Sequence, residues 1–212
     1  RDAGYNTALI GKWHLGSLPS FGPLKSGYQR FFGNYGGAID YFTHKPGVGE
    51  AVPRDLYEGE VPVERVGYYT QLLADEASAW IGQQSQDKPF LLSLHFTAPH
   101  WPWVGPEDEE VSRNLKDLFH YDGGNLATYA RMVRSLDAAV GQVLASLQAA
   151  HPDQVVLSAS ASTLYVGFDV RKPPFDDVRV RNALLVAAGA FALVASIPFL
   201  PSSFTDRIEW PL

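Results

Sequence analysis

Gly4-Tyr5-Asn6-Thr7-Ala8-Leu9-Ile10-Gly11-Lys12-Trp13-His14-Leu15-Gly16 is the stretch on which the reading of this chain turns. Ala8 to Ile10 is a short apolar run that ends in a polar segment bracketed by Gly11 and Gly16. Such a run suits a buried strand feeding a loop. Lys12 and His14 stand two residues apart at its end. On an extended chain, side chains at i and i+2 share a face, so an ammonium and an imidazole would be offered together to an anion while Trp13 turns away. By spacing alone the pair reads as a solvated strand end, because Lys-x-His is common by chance.

Working outward, Gly16 to Gly49 is rich in glycine and aromatics (Phe31, Phe32, Tyr35, Tyr41, Phe42) and reads as a long surface connection, often functional. Tyr69, Leu72, Leu73, Ala77, Trp80 and Ile81 recur at helical spacing and predict a helix from about Val66 to Gly82. After a polar turn over Gln83 to Lys88, Phe90 to Phe96 reads as a buried strand stopped by Pro99 and Pro102. A second helix is predicted from Leu126, Tyr129, Ala130, Val133, Leu136, Val140, Val143, Leu144 and Leu147, with Asn125 as its cap. Gln154 to Leu157 is a short strand candidate. Alternating strands and helices argue for an α/β layer architecture.

His100 lies in Thr97-Ala98-Pro99-His100-Trp101-Pro102-Trp103, directly after the second apolar strand. Ligands of open α/β sheets bind beyond the carboxyl ends of strands, and a histidine there can hand a proton to a departing oxygen. A loop histidine bonded to backbone is the bland alternative. His44, in Tyr41-Phe42-Thr43-His44-Lys45, is a candidate for lining a substrate cleft, as is Trp101 beside His100. His95 reads as a satisfied core histidine, and His120 and His151 have no constellation around them. Glu107-Asp108-Glu109-Glu110 reads as a solvated face rather than a metal cage.

Composition sets the outer bounds. The 212 residues are 46 % hydrophobic and 19 % charged, enough to bury a core. A net charge of −6 argues against a generic nucleic-acid binder, so an anionic substrate would be held by a few local cations or a metal. With no cysteine, disulfides, thiolate metal sites and a cysteine nucleophile are excluded within the chain. The chain begins at Arg1 with no signal peptide and reads as an internal fragment.

Gly4 to Gly16 closely resembles the second signature of the sulfatase family, and Phe90 to Trp103 resembles that family's strand and loop ending in Ala-Pro-His-x-Pro. Gly27 to Thr43, Asp55 to Ile81 and Tyr129 to Leu147 also look like sulfatase segments in the expected order. The resemblance implies part of an alkaline-phosphatase-like α/β domain, a mixed sheet flanked by helices, over residues 1–157. It implies a sulfuric ester hydrolase acting on an alkyl, aryl or carbohydrate sulfate, with a formylglycine nucleophile and calcium. Lys12 would contact sulfate and the formylglycine, His14 would assist the formylglycine hydroxyl, and His100 would bind sulfate or protonate the leaving alcohol. Fixed cations aimed at a charged transition state are often the largest catalytic contribution. An extracytoplasmic location is the family's habit.

The chain departs from that pattern. The Cys/Ser-x-Pro-Ser-Arg motif that yields formylglycine is absent, and so is the paired-aspartate segment for calcium. Where the family has Asp-Asn-Gly or Asp-His-Gly, this sequence has Val155-Val156-Leu157-Ser158-Ala159-Ser160, so no metal ligand is assigned and the chain alone is expected to be inactive. A boundary is expected near 158, with 158–212 an unrelated or irregular tail of the kind a fusion or frameshift leaves. Leu164 to Leu184 resembles a stretch of the peptide-binding solute receptors of ABC transporters. Ala183 to Leu200 approaches the roughly 20 residues that span a bilayer, but Ser196 and Pro198 interrupt it and a membrane helix is not favoured. Two alternatives stand beside the sulfatase reading: a phosphoester or phosphonate hydrolase of the same superfamily, and a solute-binding fragment.

Overall fold

The computed structural model describes residues 4–117 and 124–155. The expected boundary near 158, the receptor-like stretch, the apolar run 183–200 and His120 all lie outside the described residues. Among those described, no helix is long and apolar enough to cross a membrane.

The strand predicted around Ala8 is β1 (Asn6–Lys12), and its five central residues are all buried. It sits between two parallel neighbours, β2 (Arg30–Asn34) and β5 (Phe90–His95), with Lys12 opposite Asn34 and Gly11 opposite His95. Two short antiparallel strands, β3 (Tyr57–Glu58) and β4 (Val61–Pro62), extend the sheet beyond β2 to give the order β4-β3-β2-β1-β5. The mixed α/β architecture agrees with the sequence reading.

Both faces of this sheet are covered. Ala8, Ile10, Phe32, Leu92 and Leu94 join the main core under α1 (Tyr69–Gly82) and α3 (Leu126–Ala150). Leu9 and Phe31 face the other way, into a smaller cluster with Trp13, Leu18, Leu24 and Tyr28. Burial on both sides explains the continuous apolar character of β1, as in other parallel strands.

The reading of 16–49 as a surface connection is corrected here. It contains β2, whose Phe31 and Phe32 are fully buried on opposite faces, and a 3-10 turn over Pro23–Lys25. Five residues with adjacent aromatics show no alternation, so pairing with β1 rather than local pattern makes this a strand. α1 begins at Tyr69, not Val66. Gly67 has φ 133°, outside helical space, and Val66 is 93 % exposed. α3 is capped as expected, the Asn125 side chain accepting from the Thr128 N–H at 3.0 Å. Its packed stripe is Met132, Leu136, Ala139, Val143 and Leu147, while Leu126, Val133 and Leu144 stay exposed. A short helix, α2 (Glu109–Arg113), occupies part of the acidic run, and Asp108 pairs with Arg131 at 2.6 Å. The strand candidate at 154–157 is instead preceded by a 3-10 turn over Pro152–Gln154, and 156–157 lie outside the described residues.

Two glycines let the centre of the sheet close. Gly11 has φ 119°, and a β-carbon on it would stand 2.0 Å from the His95 carbonyl oxygen. A β-carbon on its register partner Gly33 would stand 1.9 Å from the Gly11 carbonyl oxygen. No side chain fits at either position.

Candidate active site

Because β1, β2 and β5 are parallel, their carboxyl ends open at one edge, and the loops that follow them meet there. Lys12 ends β1. Its carbonyl lies 3.1 Å from His95 Nδ1, which fixes the strand end to β5. A carbonyl only accepts, so this contact puts the His95 ring proton on Nδ1. His95 is thus the bonded, largely buried histidine the sequence predicts. The Lys12 ammonium is held below the ordinary lysine range by burial. No carboxylate pairs with it among the described residues.

His14 does not continue the strand. β1 stops at Lys12, and His14 has φ 53°, a left-handed turn that is uncommon for a residue with a side chain. Its N–H donates to the Tyr35 carbonyl at 3.1 Å. The ring lies against Gly37, where a β-carbon would come within 2.5 Å of both Cε1 and Nε2. Burial lowers the His14 pKa, and the neighbouring Lys12 and then His100 lower it further by like-charge repulsion. The shared strand face that i, i+2 spacing implies is not formed, because β1 ends at Lys12 and His14 lies in the turn beyond it.

His100 lies in the loop that follows β5, and its charge is felt at His14. Its N–H donates to the Thr97 carbonyl at 2.9 Å, and its own carbonyl accepts from the buried Tyr41 hydroxyl at 3.0 Å. Tyr68, stacked on Tyr41, donates to the Val104 carbonyl at 2.9 Å, so two phenols pin this loop from the core. His100 Nδ1 lies 3.0 Å from the Trp101 carbonyl, which leaves Nε2 as the nitrogen free to face a ligand. The Trp101 ring is partly exposed and meets the His100 ring edge to face at 4.9 Å.

His44 is a correction. It is 0 % exposed, packs against Tyr69, and its Nε2 lies 3.2 Å from the Gly67 carbonyl. Burial lowers its pKa. It belongs to the interior and lines no cleft. His151, at the end of α3, is buried against Phe90.

Sequence reasoning missed the residues behind the site. Asn34 is fully buried, donates to the Gly36 carbonyl at 2.8 Å and accepts from the Tyr69 hydroxyl at 2.9 Å. The Asp55 carboxylate accepts the Tyr35 N–H at 3.1 Å and the Gly36 N–H at 2.7 Å. The only available signal was the glycine pair 36–37, which in sequence says no more than loop. Among the described residues no group of three or more His, Asp or Glu side chains is arranged to hold a metal. Asp40, the most buried carboxylate, spends one oxygen on Phe42, Thr43 and Ser112 and has no second carboxylate beside it. The described residues thus do not fit a calcium centre.

Comparison with known proteins fits this geometry. The sulfatase family model matches residues 1–160. The chain belongs to the sulfatase family. Similar relatives include an arylsulfatase of Klebsiella aerogenes, 32 % identical over 65 % of this chain and 30 % of its own length. An N-acetylgalactosamine-6-sulfatase of Mus musculus is 32 % identical over 70 % of this chain and 28 % of its own length. Among solved structures, Ps i-CgsB in complex with k-i-k-neocarrahexaose aligns with TM-score 0.56 and 26 % identity, covering 72 % of this chain and 36 % of that one. The sulfatase chain described here therefore spans about a third of the proteins it resembles.

Proposed function

We propose that this chain supplies the cationic wall of a sulfatase active site, where sulfate esters are bound for hydrolysis. One observation supports the reading: Lys12 ends β1, the charges of Lys12 and His100 both act on His14, and no carboxylate pairs with Lys12 among the described residues. A half-buried ammonium at Lys12 is costly without a counter-ion, and an anion is the ligand that relieves the cost. A tetrahedral sulfate takes its negative charge there. Lys12 holds a sulfate oxygen as a fixed positive charge, and His14 adds a second donor. His100, its Nδ1 committed to the Trp101 carbonyl, directs Nε2 outward and, as the imidazolium, passes that proton to the leaving alcohol oxygen.

Calcium and formylglycine are the family's expected partners in this chemistry. The described residues do not supply their ligands or their motif, and no step here runs through them. A carbohydrate sulfate is the favoured substrate class, supported by a relative named for N-acetylgalactosamine-6-sulfate and by the oligosaccharide in the Ps i-CgsB complex. Trp101 offers such a substrate a partly exposed aromatic face.

Titrating the full chain with inorganic sulfate, while following histidine ring signals by NMR, tests the site. Sulfate should raise the His14 pKa back toward the ordinary histidine value, and K12A should abolish the response. An unchanged His14 titration in sulfate, relative to chloride at equal ionic strength, rejects the reading.

A further inference from the structure

We propose that Asp55 is a positioning residue for His14, acting through the backbone of the loop that leaves β2. The proposal rests on the reading of His14 as part of the anion site. It starts from a chain of contacts that runs without a break. Asp55 Oδ1 accepts the Tyr35 N–H and Oδ2 accepts the Gly36 N–H. Tyr35, held this way, accepts the His14 N–H with its carbonyl. Gly37, the next residue but one, is the floor on which the His14 ring lies. One carboxylate thus sets both the peptide that anchors the His14 backbone and the surface that supports its ring.

The fit is close at every link. A β-carbon on Gly36 would stand 2.8 Å from Asp55 Oδ2, so the loop and the carboxylate are packed against each other. Asn34 ties the same loop to the core, bridging the Gly36 carbonyl and the Tyr69 hydroxyl. Asp55 is itself fixed, its N–H donating to the carbonyl of the buried His44 at 2.8 Å. No arginine or lysine pairs with Asp55 among the described residues; its carboxylate accepts these two peptide N–H groups, and hydrogen bonding from the Asn34 side chain adds to their effect on it. A partly buried carboxylate that accepts two consecutive amides is a shaping device for backbone, and here the shaped backbone carries His14.

D55N keeps the size of the side chain but replaces one acceptor oxygen by a donor, so one of the two amides loses its partner. In the full chain, D55N should move the His14 ring signals and bring its pKa closer to the ordinary value, and should weaken inorganic sulfate binding about ten-fold, the scale of a small misplacement of a binding group. G37A should disturb the same ring signals from the other side with Asp55 intact. A folded D55N whose Tyr35 and Gly36 amides shift while the His14 titration stays put overturns the proposal. Should D55N fail to fold, D55E keeps the charge on a longer arm, and a folded D55E with an unmoved His14 ring overturns it equally. If His14 titrates as expected in every variant but inorganic sulfate never perturbs it even in the parent, the anion-site reading fails and the positioning claim stands.

Discussion

The hydroxyl of Tyr41, a side chain with no exposed surface, donates to the main-chain carbonyl of His100 at 3.0 Å. This bond runs from the hydrophobic core directly to the loop that carries a candidate catalytic imidazole. The position of His100 is therefore a property of core packing as much as of its own prolines. Burial drives the Tyr41 pKa well above the ordinary phenol value, so the hydroxyl keeps its proton and stays a donor.

Tyr41→Phe isolates that bond, because the ring and its stacking on Tyr68 are retained. The expected loss of stability is about 1–2 kcal/mol, the usual consequence of leaving a backbone carbonyl without its partner. Urea unfolding measures it. The His100 ring signals should broaden or shift in the same variant, and sharp, unmoved signals would show that the prolines alone hold the loop.

Gly11→Ala should be among the most damaging small substitutions in the protein. The added carbon would stand 2.0 Å from a main-chain oxygen of β5, and φ 119° is closed to alanine. Neither strand can yield without breaking the ladder, so a loss of about 3 kcal/mol or more is expected. Far-UV circular dichroism and thermal melting against Gly82→Ala, where the space is open, provide the comparison.

Asn125→Ala removes the side chain that caps α3 through the Thr128 N–H. The expected cost is about 1 kcal/mol. Asn125→Asp should recover most of it, since a carboxylate caps equally well and favours the positive end of the helix. Chemical denaturation of the three proteins decides the point.

Stability should fall on acidification. His14, His44 and His95 all have pKa values lowered in the folded chain, in each case chiefly by burial. A histidine whose folded pKa lies below its unfolded value takes up its proton preferentially in the unfolded state. Its contribution is fully present above the unfolded value of about 6.5 and is lost as pH falls through the folded one. The melting temperature should thus be level near pH 8 and decline below about 6.5. Asp55 works in the opposite sense, its carboxyl being raised by burial, and softens the decline only in the lower, carboxylate range. A melting temperature flat from about pH 8 to 5 would contradict the burial of His44 and His95.

Periodicity exposed the elements that carry enough of it. Fourteen residues of α1 and twenty-five of α3 repeat their apolar positions several times, and the cap at Asn125 marks a start that the structure reproduces. β2 did not announce itself, because five residues buried on both faces contain no repeat. The two-residue strands are defined by pairing alone, β3 against β2 and β4 against β3. His44 shows the same limit at the level of one side chain. Its neighbours Thr43 and Lys45 look like loop, and its burial comes from Tyr69 on another element.

The sequence by itself determined the family, the strand around Ala8, the strand from Phe90 and the two long helices, because each of these is written in a contiguous motif or a repeated period. Only the tertiary structure decided that His14 stands in a turn beyond β1, that His44 lies inside, and that Asp55 holds the loop whose Tyr35 carbonyl accepts the His14 N–H. Those outcomes depend on the parallel register of β1 with β5 and on backbone amides presented by the loop that leaves β2. Contacts between residues far apart in the chain are set by how whole elements pack, and no local pattern encodes them.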